Sequence, residues 1–319
     1  MDPITVVDDN PEAHDHLLPA GTMLGPHVVI RGVLGEGGTA VVYDAFHTEL
    51  KRYVAVKMLH PRSQVAREAR ARLIREGRIC ESIHDPRVPK IYFIDELDDG
   101  TPYMVMEKIE GPTLAKLIES GPIPFVTACT IAAHLLEGLA AIHGRGVVHR
   151  DIKPSNIILQ PCEDGTVKVR LMDFGIGKIT GSGPEVTGIT RQGDIIGTPC
   201  YMPPEQLMSK DVDARVDLYA TGVMLFEMLT GRVPYDATSI AEVVAAVLRD
   251  DMPNVCSVRP DLPPQIGEVV AKATTKDKSL RYASAERMKI ALVAAVRASN
   301  SIRDRQASTA TSHTDQQYV

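Results

Sequence analysis

His149-Arg150-Asp151-Ile152-Lys153-Pro154-Ser155-Asn156 brings one carboxylate, one cation and one amide close together in the chain, with a proline beside the cation. Lys153 precedes Pro154, which pushes it away from helical geometry and toward an extended one. The segment therefore reads as a rigid loop whose polar side chains can converge on one point. Asp151 can take a proton from a hydroxyl nucleophile. Lys153 can neutralise a developing negative charge. Asn156 can offer its carbonyl oxygen to a hard cation such as magnesium, which prefers oxygen ligands. Ile157, Ile158 and Leu159 follow as a short buried strand.

A second stretch, Val169-Arg170-Leu171-Met172-Asp173-Phe174-Gly175, supplies a carboxylate at the end of a strand. Asp173 and Asn156 could hold magnesium between them. Together the two stretches match the pattern H-R-D-x-x-x-x-N followed by D-F-G, and the chain resembles a protein kinase. The resemblance implies an α+β, bilobal fold: a small antiparallel β-sheet lobe with one helix, then a large, mainly helical lobe. It implies transfer of the γ-phosphoryl of ATP to protein hydroxyls, with Asp151 as base and Lys153 as charge stabiliser.

Upstream, Val28 to Leu34 reads as a strand leading into Gly35-Glu36-Gly37-Gly38-Thr39-Ala40-Val41-Val42-Tyr43. Glycines in such a turn let backbone N–H groups approach phosphate oxygens. A G-x-G alone is a weak signal, but Val54-Ala55-Val56-Lys57 follows one strand later. The pairing resembles the kinase nucleotide-binding loop and its strand lysine, with Ala40 where the family has a third glycine. The resemblance implies that Leu34, Gly35, Glu36, Gly37 and Gly38 approach the nucleotide. It places Val42 and Ala55 over adenine and Lys57 on the α- and β-phosphates.

Arg62 to Ile83 turns helical, with Leu73, Ile74 and Ile79 on one face. The family pairs its strand lysine with a glutamate on this helix. Of Glu68, Glu76 and Glu81, Glu76 is in register when counted back from His84-Asp85-Pro86. Val88 to Ile94 and Tyr103 to Met106 read as two strands joined by Asp98-Asp99-Gly100, and Glu107 to Gly111 as the hinge between lobes. The resemblance implies that Met106 lies behind adenine and that backbone groups of Glu107 and Ile109 bond to it. Ile158 completes the nucleotide set.

Pro124 to His143 reads as a helix with Ile131, Leu135, Leu139 and Ile142 on one face, and His134 and His143 as packing and surface residues. Beyond Asp173, Gly177 to Gln192 carries Thr180, Ser182, Thr187 and Thr190 and resembles an activation loop. Gly197-Thr198-Pro199-Cys200-Tyr201-Met202-Pro203-Pro204-Glu205 resembles the motif that closes it, with Pro203 where alanine is usual. Thr198 is expected to bond Lys153 and Asp151. Asp217 opens a helix that is apolar nearly all round and therefore buried. The helix resembles the central helix of the kinase large lobe, which implies that Asp217 anchors the backbone of the catalytic loop and that Arg281 pairs with Glu205. A last helix is expected from about Ser284 to Arg297.

The chain has 319 residues, and its 44% hydrophobic content allows a sizeable core. A net charge of -6 argues against a general nucleic-acid binder. The five scattered cysteines form no C-x-x-C pair, so neither zinc nor a disulfide framework is indicated and a reducing, cytoplasmic setting is simplest. No targeting segment or membrane-length apolar run stands out. Residues 1–25 read as a disordered lead, 26–298 as the kinase-like domain and 299–319 as a polar tail. Within the domain, the small lobe is expected over 26–107 and the large lobe over 112–298.

The absence of tryptophan makes the resemblance closer to a bacterial, eukaryotic-like (Hanks-type) Ser/Thr kinase. Such kinases imply ATP with Mg2+ or Mn2+, protein substrates and pairing through the small lobe. A pseudokinase would have lost Lys57, Asp151 or Asp173. A small-molecule kinase usually lacks the long activation segment and its Pro-Pro-Glu closure.

Overall fold

The computed structural model describes residues 17–37, 40–59, 73–74, 77–78, 81–173, 198–208, 210–235, 237 and 239–314. Side chains are described up to Ser299, that of Thr198 excepted. The chain divides into two compact units. The smaller holds Met1–Arg78 and Lys90–Lys108, and the larger Ile79–Pro89 and Ile109–Val319.

Period-two alternation builds the small unit. Its strands are β1 (Met23–Leu24), β2 (Val28–Glu36), β3 (Ala40–His47), β4 (Arg52–Leu59), β5 (Ile91–Glu96) and β6 (Pro102–Glu107). They form an antiparallel sheet in the order β1-β2-β3-β4-β6-β5. In β4, Val54, Val56 and Met58 enter one core with Ile30, Tyr43 and Val105. Ala55 enters a second cluster with Leu73, Met104 and Met106, on the opposite face. Gly77 is helical, and a methyl group there would collide with the Ile94 side chain. The helical residues Leu73 and Gly77 thus press onto the sheet face that carries Ala55.

Two sequence expectations about this unit change. Residues 17–25 are not a disordered lead. Leu17 and Leu18 pack on the first core, the Leu18 N–H donates to the Tyr43 hydroxyl at 3.1 Å, and Leu24 is buried in β1. The prolines drew the reading toward disorder, while three leucines drive burial. The strand expected from Val88 begins at Ile91, because Val88 closes a turn on the Asp85 carbonyl.

Segment 79–89, expected in the small lobe, belongs to the large unit. The Arg87 carbonyl accepts from the Leu171 N–H at 2.8 Å, and the Arg87 guanidinium pairs with Glu137.

The large unit comprises α1 (Leu114–Ile118), α2 (Phe125–His143), β7 (Ile157–Pro161) and β8 (Val167–Leu171), then α3 (Pro204–Leu207), α4 (Arg215–Thr230) and α5 (Ile240–Arg249). It continues through α6 (Val255–Val258), α7 (Pro264–Ala273) and α8 (Ala285–Thr314). Strands β7 and β8 pair antiparallel. Helix α4 is buried on nearly every face, as its composition requires, and ends at Gly231 with φ +73. Helix α2 is long and apolar enough to cross a membrane by length and composition. More than half of it is buried, against α4 and α8.

Helix α8 runs past the expected end at Arg297 to Thr314. Residues 285–314 contain neither proline nor glycine, so nothing in the backbone stops it.

Gly222 sits where α4 meets α7: a methyl group there would lie 2.8 Å from Ala273 Cβ and 2.8 Å from Thr274 Cγ2. Gly222→Ala is therefore expected to destabilise the protein by about 1–3 kcal/mol through overpacking, read as a lower denaturant midpoint with little change in slope.

Candidate active site

The loop quoted first hangs from one buried carboxylate. Asp217, at the start of α4, accepts the backbone N–H of His149 at 2.9 Å and that of Arg150 at 2.8 Å. The expected anchor of the loop is thus present. His143 Nε2 lies 2.8 Å from the same Asp217 carboxylate. Sequence pattern alone makes His143 a packing or surface residue. No local pattern reveals that the last turn of α2 returns to this loop.

His149 is fully buried and its two ring nitrogens have distinct tasks. Nδ1 accepts the Asp151 N–H at 3.3 Å, so Nε2 carries the proton and donates to the Met172 carbonyl at 3.1 Å. Burial holds the imidazole neutral and lowers its pKa, against the opposing pull of nearby carboxylates led by Asp217. The ring ties the loop to the residue just before Asp173.

Asp151, Lys153 and Asn156 do converge. Lys153 is extended, at φ -158 and ψ 160, as its proline neighbour demands. Its Nζ lies 3.4 Å from the Asp151 carboxylate. Asn156 Nδ2 donates to the Asp151 carbonyl at 2.8 Å and to its carboxylate at 2.9 Å. The amide nitrogen of Asn156 is thereby turned toward Asp151.

The register of β7 and β8 pairs Ile157 with Leu171, and the Met172 N–H donates to the Asn156 carbonyl at 2.8 Å. Asp173 therefore leaves the hairpin beside Asn156. It is exposed and adopts φ 50, a left-handed conformation uncommon for aspartate. Among the described residues no group of three or more His, Cys, Asp or Glu side chains could hold a metal. One carboxylate and one amide oxygen instead suit a hard divalent cation that keeps water ligands and takes substrate phosphate oxygens.

Two further polar pairs brace the elements behind the loop. Glu205 and Arg281 form the expected pair, buried and bidentate at 2.6 and 2.9 Å. The Tyr201 hydroxyl donates to Glu227 of α4. Burial raises the pKa of Glu227 and holds the Tyr201 hydroxyl protonated.

The small unit carries its own set of predicted residues. Lys57 pairs across the sheet with Val42 and Met104, and Ala55 with Met106. Alternation puts Val42, Ala55, Lys57 and Met106 on one face, the face that Leu73 and Gly77 press upon. Glu76 lies outside the described residues, as do Gly38 and the side chain of Thr198. Gly35 and Glu36 end β2, opposite Val42 and Val41, and Leu34 is exposed. No atom lies within 4 Å of a methyl group built on Gly35, and its φ is not in the left-handed region. Neither crowding nor backbone conformation calls for glycine there, which suits the close approach of a ligand.

The Glu107 N–H donates to the Lys90 carbonyl at 2.8 Å. In the large unit, Ile109 and Ile158 are half-buried, and Ile158 bridges to Thr113.

Residues 28–293 match the family described as protein kinase domain. A probable serine/threonine-protein kinase of Streptomyces coelicolor is 38% identical over 276 residues, covering 84% of this chain and 39% of its own length. Serine/threonine-protein kinase PknL of Mycobacterium tuberculosis is 36% identical over 265 residues, covering 82% of this chain and 64% of its own. The chain thus spans less than two thirds of the length of these relatives. The solved PknI kinase domain of Mycobacterium tuberculosis aligns with a TM-score of 0.67 at 22% identity, over 88% of this chain and all of that one. This last likeness is one of fold.

Because the native state keeps His149 neutral while the unfolded chain titrates near the usual histidine value of about 6.5, only the unfolded chain takes up this proton at first on acidification. Stability is intact above that value and falls as pH drops below it toward the lowered native pKa. Urea midpoints at pH 7.5 and 5.5 are expected to differ more in the wild type than in His149→Gln.

Proposed function

We propose that this chain, which belongs to the protein kinase domain family, transfers the γ-phosphoryl group of ATP to serine or threonine hydroxyls of proteins. The observation that carries the proposal is the Asp151 carboxylate, oriented by Asn156 and Lys153 on a loop hung from Asp217. In this reading Asp151 receives the proton of the attacking hydroxyl. Lys153 offsets the negative charge that gathers on the phosphoryl oxygens as they pass over. Little covalent chemistry is asked of the protein; position and charge do the work.

The family uses ATP with a divalent cation. Asn156 and Asp173 would hold it, and we take it to be Mg2+, with Mn2+ as a substitute; once bound, it neutralises charge on the β- and γ-phosphate oxygens. Lys57 would meet the α- and β-phosphates, and Glu76 would orient Lys57. Support comes from the sheet face that Lys57 shares with Val42, Ala55 and Met106. Leu34, Gly35, Glu36, Gly37 and Gly38 would border the phosphates and the base, with Glu107, Ile109 and Ile158 completing the nucleotide contacts. Thr198 would tie the closing motif to Lys153 and Asp151.

Autophosphorylation between Thr180 and Thr190, outside the described residues, belongs to the same proposal, with Thr187 and Thr190 favoured. A phosphate there carries about −1.5 to −2 charge and can be bound bidentately by Arg150. A homodimer through the small unit and a cytoplasmic location, where ATP is supplied, complete the reading.

Asp151→Asn is expected to lower phosphoryl transfer by about 10²–10⁴-fold, the usual loss when a general base is removed, with ATP affinity nearly unchanged by calorimetry. Near-normal turnover would overturn the assignment. Lys57→Met should cut the rate by roughly 10²–10³-fold, Glu76→Ala by less. The double variant should fall well short of the product of the two losses, because paired residues are not additive. Incubating the pure chain with Mg-ATP and mapping phosphosites by mass spectrometry reports on transfer and on the loop together.

A further inference from the structure

The peptide that leads into Asp151 is held at both ends, and one of the two holds comes from outside the loop. Arg150 adopts φ 65, which L-residues seldom do, so the plane between Arg150 and Asp151 needs support to stay in place. The oxygen and the N–H of that plane are rigidly coupled. Its N–H, from Asp151, donates to His149 Nδ1 at 3.3 Å. Its oxygen, from Arg150, accepts from Gln206 Nε2 at 2.9 Å. The preceding N–H, of Arg150, is the one bound by Asp217. Rotation of the plane would swing the Asp151 side chain away from Asn156 and Lys153.

Gln206 is well placed to resist that rotation. It sits on α3, whose start is set by Pro203, extended at ψ 161, and Pro204 in the first helical position. Its neighbour Glu205 is locked by the bidentate pair with Arg281. The short helix is thereby fixed to the large unit on one side and presents an amide donor to the loop on the other. Gln206 also lines the concave surface formed with Tyr201, Met202 and Val216 beside Arg150 and Asp151.

We infer that Gln206 is a positioning residue for phosphoryl transfer, holding the Arg150 carbonyl so that the left-handed turn at Arg150 keeps Asp151 aimed. The inference rests on the reading of Asp151 as the proton acceptor. It makes the Glu205–Arg281 pair part of the same support, since that pair fixes the helix from which Gln206 reaches.

Two variants of the full chain test it. Gln206→Met keeps the length and loses the donor; Gln206→Lys returns a donor. For each, kcat and KM for ATP, the melting temperature and amide hydrogen exchange in peptides covering His149–Ile152 are measured. Gln206→Met is expected to lower kcat about 5- to 30-fold, the scale of one buried hydrogen bond left unmade. KM for ATP should stay within about twofold, since nucleotide contacts are untouched, and exchange at Arg150 and Asp151 should quicken. Gln206→Lys should recover most of kcat and slow exchange again.

Unchanged kcat and unchanged exchange in Gln206→Met would overturn the inference. So would a loss of kcat that tracks the melting temperature and is not recovered by lysine. A wild type that transfers no phosphate would defeat the functional reading and the catalytic part of this inference, while the exchange data would still judge the hold on Asp151.

Discussion

Asp217 carries more of this structure than any other single group. Its carboxylate is almost wholly out of water, a costly place for a negative charge unless it is richly bonded. It meets that requirement with the backbone N–H groups of His149 and Arg150 and the ring of His143. Helix α4 contributes too, because Asp217 lies in its first turn, where the helix dipole favours an anion. The buried helix thus fixes the charge, and the charge fixes the loop.

From that point the supports spread outward through the large unit. His149 passes the hold to Met172 and so to the strand end from which Asp173 emerges. Asn156 reaches Asp151 through its side chain and Met172 through its backbone. The Glu205–Arg281 and Tyr201–Glu227 pairs bind residues 198–208 to the helical core. Removing one partner of such a buried pair leaves the other uncompensated, so these pairs set geometry at least as much as they add stability.

Side chains close together in the chain were legible. Asp151, Lys153 and Asn156 lie within one turn of loop, and a proline restricts what that loop can do. Ala55 and Lys57 were placed through resemblance to a known family, and alternation along β4 puts them on one face. Asp217 and the Glu205–Arg281 pair were read through resemblance to a known family, since nothing local links residues so distant in sequence. Contacts of that kind without such a guide were missed. His143 looked like a helix-end residue, and nothing in the composition marks Gln206 as a neighbour of Arg150. Leu17, Leu18 and Leu24 were masked by the prolines around them, because local propensity spoke louder than burial. The length of α8 was missed because a polar stretch was taken for an unstructured one, although it holds no helix breaker.

The placement of Ile79–Pro89 has a consequence for inheritance. The chain passes from one unit to the other at three points: after Arg78, after Pro89 and after Lys108. A genetic crossover at the last of these would exchange everything that follows, yet Arg87 would stay with the upstream parent. Its carbonyl and guanidinium would then have to meet a foreign Leu171 and a foreign Glu137. A single crossover after Lys108 therefore cuts through the larger unit, which is discontinuous in sequence, instead of separating the two units cleanly.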